Sequence, residues 1–111
     1  MRTAPITQGE IEEEILRLLV VLENETEEFE TLAQQFAEAE ATHKAKWAKA
    51  YLSASGSIRE REATADLSMA ETLYAYKMAE GLMKAKREKL MSVRMSIDAL
   101  RTLNANVRAQ I

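Results

Sequence analysis

The sequence predicts an all-α protein: a long antiparallel two-helix hairpin with coiled-coil seams, assembling into a homo-oligomer such as a ring. Strong helix formers dominate the 111 residues, and there are only three glycines and one proline. Apolar residues recur every seven positions in both halves of the chain. The Ser/Gly-rich segment 53–57 is the one clear break between them. Because aromatic residues make up only 5% of the chain, a lone hairpin would bury a thin core, so we expect oligomerisation.

The predicted order of elements is an arm, a helix, a turn and a second helix. Residues 1–7 read as a flexible N-terminal arm, and residues 8–111 as a single hairpin domain with helices over 8–52 and 58–109 and a turn over 53–57. Thr7 with Glu10, and Ser57 with Glu60, have the spacing of capping boxes, which mark two helix starts. Gly56 can supply the positive φ that a tight turn requires.

The first helix carries two apolar rows of sevenfold spacing, and the polar Glu25 interrupts one of them. The second helix carries two similar rows towards its end, which we predict to be the oligomerisation seam. Its residues are Leu90, Val93, Ile97, Leu100, Asn104, Val107 and Ile111. Asn104 is the kind of seam residue that fixes register or oligomer state. Gly81 is the only interior helix breaker, compatible with tight packing, a mild kink or a break.

Charge is divided unevenly along the chain although the net charge is only −3. Residues 1–42 hold 11 acidic and 2 basic residues, a net charge of −9, whereas residues 43–111 hold 13 basic and 7 acidic residues, a net charge of +6. The first half is therefore acidic and the second half basic, so an anionic partner remains compatible with the composition.

Enzymatic chemistry has little support in the sequence. There is one histidine, no cysteine and no glycine-rich phosphate loop, so we predict no catalytic residues, no metal and no cofactor. The longest apolar stretch runs only from Leu18 to Leu22, and the N-terminus lacks the apolar core of a signal peptide. We therefore expect a cytoplasmic protein without a membrane partner.

The first candidate site, the tip cluster, surrounds the predicted turn with cations and rings. Its residues are Lys44, Lys46, Trp47, Lys49, Tyr51, Arg59 and Arg61. Cations that contact a phosphate backbone, with rings on which bases stack, are how proteins hold single-stranded nucleic acid. The alternative is a solvated charged tip in which Trp47 and Tyr51 belong to the core.

The second candidate site, the arginine row, consists of basic residues spaced by seven. They are Arg87, Arg94, Arg101 and Arg108. On a helix they form a line about 31 Å long at about 1.5 Å per residue, which could follow a phosphate backbone. The alternative is that they flank a coiled-coil seam and pair with the glutamates of the first helix.

A third and weaker pattern is Glu40 followed three residues later by His43, the spacing used in di-iron carboxylate proteins. A metal site would need further carboxylates from facing helices. His43 also continues an apolar row of the first helix, which favours a seam position.

One further pattern combines Glu38-Ala39, Lys44, Lys46, Tyr51-Leu52-Ser53, Gly56 and the segment Ile97–Arg101. With these residues, the chain from about 30 to 111 resembles the UvsY family of small phage recombination mediators. It implies a helical subunit that assembles into a ring and binds single-stranded DNA. It also implies two protein partners, a RecA-like recombinase and the single-strand-binding protein that the recombinase replaces.

The same resemblance places Lys46, and a position close to Lys49, among DNA-contacting residues. We therefore expect a non-enzymatic single-stranded DNA-binding protein that acts as a recombination mediator, in the host cytoplasm if the chain is phage-encoded. The alternative is a phage structural or assembly protein of coiled-coil type that does not bind DNA, in which the charge division serves subunit pairing.

Overall fold

The computed structural model describes residues 6–110, which form three helices in chain order. Helix α1 spans Gln8–Ser53, α2 spans Ile58–Ser68 and α3 spans Ala70–Ala109. The all-α prediction is confirmed. Ile111 and most of the predicted N-terminal arm, residues 1–5, lie outside the described residues. Neither long helix carries an apolar run that would let the described chain span a bilayer.

The predicted capping box forms with both of its bonds at Thr7, and with the side-chain cap alone at Ser57. The amide of Glu10 donates to Thr7 Oγ1 at 3.2 Å, and the amide of Thr7 donates to Glu10 Oε2 at 3.3 Å. At α2 the amide of Glu60 donates to Ser57 Oγ at 3.2 Å. Gly56 in the preceding turn has φ +104°, a conformation that side-chain-bearing residues rarely adopt. These local signals therefore determine where α1 and α2 begin.

The predicted second helix is divided at Met69 and runs unbroken through Gly81. Around Met69, hydroxyl groups donate to backbone carbonyls one turn earlier: Thr64 to Glu60, Ser68 to Thr64, and Thr72 to Met69. Such side-chain bonds compete with the helical ladder and bend it. The interruption is confined to Met69, whose amide still donates to Ala65 O at 3.0 Å.

Contacts divide the chain into two compact units. Unit 1 combines Met1–Glu28 with Lys86–Ile111, and unit 2 is Phe29–Ala85. In unit 1 the start of α1 packs antiparallel to the end of α3, around the buried residues Ile11, Leu90 and Ile97. In unit 2 the end of α1 packs against α2 and the start of α3, with Ala65 buried.

The sevenfold rows form the seam between helices in each unit. Every described member of the two rows on α1 and the two rows on α3 is buried or half-buried. In unit 2, Phe36 stacks on Tyr76 with ring centroids 5.7 Å apart, and His43 stacks on the same ring at 5.8 Å. The heptad spacing thus reports contacts within one chain.

Candidate nucleic-acid interface

The tip cluster lies in unit 2, on the last turns of α1 and the first turns of α2. Trp47 and Tyr51 are one helical turn apart, and their rings stack with centroids 5.5 Å apart and planes 14° from parallel. The Trp47 indole N–H donates to Asp66 Oδ1 at 2.9 Å. The stacked pair is therefore anchored from α2, and one face of the indole is covered by Tyr51.

Helical spacing divides the cluster between two flanks of α1. At 100° per residue, Lys44 falls on the same flank as Tyr51. Lys46 falls on the opposite flank, and Lys49, three residues later, falls further out towards solvent. Arg59 precedes Asp66 by seven residues on α2 and so shares the flank of Trp47. The structure therefore does not bring all the predicted cations and rings into one groove.

The cations of the tip cluster differ in whether they have partners. Lys44 Nζ lies 3.6 Å from Glu40 Oε1 on its own helix, and Arg61 donates through Nε to the Gly56 carbonyl at 3.1 Å. Lys46, Lys49 and Arg59 are exposed, and no carboxylate within the described chain lies in ion-pair range of them. These three positive charges are available to an outside anion.

The arginine row lies in unit 1 along one flank of α3, beside the seam. Arg101 pairs weakly with Asp98 on its own helix at 3.7 Å, and Arg108 with Glu12 of α1 at 3.8 Å. Both side chains remain more than 60% exposed. Arg87 and Arg94 have no ion pair among residues 6–110. Pairing with the glutamates of α1 thus involves one row member of four.

Lysines, instead of the arginine row, make the strong contacts with the acidic helix. Lys86 Nζ lies 2.6 Å from both Glu25 Oε2 and Glu28 Oε2, and Lys89 Nζ lies 3.1 Å from Glu25 Oε1. Only 13% of the Glu25 side chain and 17% of the Lys86 side chain is exposed. This cluster was not predicted from the sequence, although Lys86 lies seven residues before Val93 and so continues the sevenfold row of Val93 on α3.

These contacts shift the ionisation of both seam residues. Hydrogen bonds from Lys86 and Lys89 hold the pKa of Glu25 below its ordinary value, and desolvation only partly opposes this. Hydrogen bonds to Glu25 and Glu28 raise the pKa of Lys86. Each partner therefore stabilises the charged form of the other. Glu25, which interrupts an apolar row of α1, faces the opposite charge of Lys86 on α3.

The predicted oligomerisation residues occupy the seam within unit 1 instead of an open face. Leu90 and Ile97 are buried, and Val93, Leu100, Asn104 and Val107 are half-buried. Ile111 lies outside the described residues. Asn104 Oδ1 is buried and has no hydrogen-bond partner in the described structure. Contact between copies at these residues stays a prediction.

The Glu40 and His43 pair is engaged in packing contacts. His43 Nδ1 lies 2.8 Å from Thr72 Oγ1. Burial raises the pKa of the Tyr76 hydroxyl, and its hydrogen bond with Glu40 adds to the increase. No group of three or more histidine, cysteine or carboxylate residues suited to a metal ion occurs among residues 6–110.

Comparison with protein-family models, curated proteins and solved structures gives no match. The UvsY resemblance therefore stays a prediction.

Proposed function

We propose that this protein is a non-enzymatic single-stranded DNA-binding protein that acts as a recombination mediator. The observation that supports the proposal is the set of exposed cations that the fold leaves without carboxylate partners. Among residues 6–110 these are Lys46, Lys49 and Arg59 in unit 2, and Arg87 and Arg94 in unit 1. The close ion pairs between α3 and the acidic helix α1 are made by Lys86 and Lys89 instead.

DNA capture in this proposal is electrostatic. Lys46 and Lys49 are one helical turn apart, so both can contact neighbouring phosphates of one strand. Each phosphate neutralised releases counterions, which makes binding weaken as salt rises. On unit 1, Arg87 and Arg94 would contact phosphates in the same way, because neither has an ion pair among residues 6–110. Arg101 and Arg108 already have carboxylate partners, at 3.7 and 3.8 Å.

The ring pair supplies a stacking surface on a different flank of α1 from Lys46 and Lys49. Tyr51 covers one face of Trp47, so a base would add to the open side of the pair instead of inserting between the rings. Stacking on aromatic side chains contributes about 1–3 kcal/mol per base and tolerates any sequence. This is consistent with binding that does not select a base order.

Mediation requires more than DNA binding. In our proposal several copies act together, so that weak sites on each copy hold one strand with higher avidity. The strand is thereby presented to a RecA-like recombinase while the single-strand-binding protein is displaced. We expect the wild-type protein to increase the ATPase activity of such a recombinase on DNA precoated with single-strand-binding protein.

The decisive experiment removes the two unpaired lysines of α1 and measures the salt dependence of binding. For Lys46→Gln with Lys49→Gln, binding to a fluorescent oligo-dT is followed by anisotropy across a range of salt concentrations. Loss of two phosphate contacts should reduce the slope of log K against log salt by about 1.4. Affinity at low salt should fall by at least tenfold.

The matched control is Lys77→Gln with Lys84→Gln. It removes the same charge from the same unit, but both lysines are already within 3.8 Å of Glu80 Oε1. The control should retain the wild-type slope. Equal losses in the two double variants would contradict a local site, and salt-insensitive binding by the wild type would contradict electrostatic capture.

A second candidate, a helical structural or assembly protein without DNA binding, is supported by a different observation. Large apolar side chains of unit 2 are exposed, with Leu67 82% and Tyr74 68% exposed. In this alternative the acidic face of α1 pairs copies, so replacing Glu23, Glu27 and Glu30 with glutamine should disrupt a defined oligomer. Assembly without any oligo-dT binding would favour this candidate.

A further inference from the structure

An apolar stripe runs along the outer face of α2 and α3 in unit 2. Leu67, Tyr74, Met78, Gly81 and Ala85 recur at steps of three, four or seven residues, which places them on one side of the helix opposite the seam. Leu67, Tyr74 and Met78 are 82%, 68% and 48% exposed. We call these five residues the outer stripe.

Gly81 has no role in the fold of the single chain. It lies in the middle of α3 with ordinary helical geometry, and a Cβ added there would meet nothing within 4 Å. Glycine at such a position costs about 1 kcal/mol relative to alanine. Because it has no side chain, Gly81 lets a helix from outside approach this face closely.

We propose that the outer stripe is the contact surface for a second copy of this chain. The two outer stripes would pack on each other, antiparallel, about a two-fold axis, with Gly81 within the contact. In a two-fold contact each surface packs on its own copy, so it must be self-complementary. An uncharged stripe satisfies this condition, because no charge on it meets a like charge within the contact.

The charges beside the stripe fit the same partner. Lys77 and Lys84 border one edge, and both lie close to Glu80 of their own chain, at 3.8 Å and 3.5 Å. That edge is therefore partly neutralised before a second copy arrives. Glu71 borders the other edge and lies more than two turns from Gly81, so it is distant from the corresponding glutamate across the axis.

The exposed area is sufficient for a specific contact. The stripe, with the neighbouring Leu73 and Leu82 at 41% and 52% exposure, offers on the order of 500 Å² of side chain per copy. Two copies together then reach the roughly 1,000 Å² that a biological interface needs. A partner is also consistent with the small core, since only four described residues are fully buried.

The test is the oligomeric state of the full chain without nucleic acid, measured by sedimentation equilibrium. The wild type should be a dimer at micromolar concentration, or an oligomer built from dimers. Gly81→Gln places a side chain within the contact and should raise the dissociation constant by at least tenfold. Glutamine is a better helix former than glycine, so circular dichroism should show an intact fold.

Ala41→Gln is the matched control, since Ala41 is exposed on the outer face of α1 in the same unit. This variant should sediment like the wild type. A monomeric wild type would overturn the proposal and leave the stripe to a different protein. The proposal is equally overturned if Gly81→Gln associates as tightly as the wild type, or if Ala41→Gln weakens association as much. Because no DNA is present, these results are independent of the DNA-binding proposal.

Discussion

Replacing Ile97 with alanine tests whether the sevenfold rows of α3 are the core of one chain. Sequence analysis placed Ile97 on a seam between copies, whereas the structure buries it against α1, leaving 3% of it exposed. Ile97→Ala should therefore destabilise the folded chain and leave the association of copies intact. Met95→Ala, two residues away and 69% exposed, is the control on the same helix.

The expected magnitude follows from burial. The change removes three carbon atoms from a nearly inaccessible site, and each buried methylene contributes about 0.8 kcal/mol. The cavity left behind adds to this transfer cost, so the total loss is about 3 kcal/mol. For a chain of 111 residues, an unfolding entropy of about 2.1 cal/mol/K per residue converts this to a Tm decrease of roughly 13 °C.

The assay combines thermal unfolding by circular dichroism with sedimentation of the same samples. Ile97→Ala should lose roughly 13 °C with an unchanged oligomeric state, and Met95→Ala should lose less than about 3 °C. An Ile97→Ala protein that keeps its Tm but falls apart into separate copies would refute the intramolecular seam.

Three further predictions concern individual contacts. Asn104→Leu should raise the free energy of unfolding, measured with denaturant, by about 1 kcal/mol, because the buried Asn104 Oδ1 lacks a hydrogen-bond partner in the described structure. A lower free energy of unfolding would show that this atom has a partner. The stabilisation from Glu25 is present above its ordinary pKa of 4.5 and is lost as pH falls through its lowered pKa. The stabilisation from Lys86 is present below its ordinary pKa of 10.5 and is lost as pH rises through its raised pKa. The Tm of the wild type should therefore fall at both pH extremes relative to Glu25→Leu with Lys86→Leu, and a constant difference would contradict the pair. Asp66→Ala should shift the fluorescence emission of Trp47 to longer wavelength and cost about 1 kcal/mol or less, whereas an unchanged spectrum would mean that the indole is not anchored from α2.

Local signals in the sequence predicted the elements well. Capping boxes at Thr7 and Ser57 gave the two helix starts, and Gly56 marked the turn, because these depend on residues within four positions of one another. The break at Met69 was not predicted, since no glycine or proline marks it; the backbone there departs from helical geometry with φ −108° and ψ 21°, among hydroxyl groups that bond to the backbone.

Partner choice across the seam was harder to predict. A heptad row shows which face of a helix is covered but not whether its own chain or another copy covers it. Lys86 shows the limit: its ion pairs with Glu25 and Glu28 span about 60 residues and depend on how the two helices align. The division of the tip cluster between two flanks is a similar consequence of helix phase.

The measurement that tests the central claim most directly uses the single tryptophan as a reporter. The protein is titrated with oligo-dT at low salt while Trp47 fluorescence is recorded, and salt is then added to the complex. Our account predicts quenching that saturates and is reversed by salt, because phosphates contact Lys46 and Lys49 while a base stacks beside Trp47. Unchanged fluorescence, together with no change in the anisotropy of labelled oligo-dT, would contradict the account.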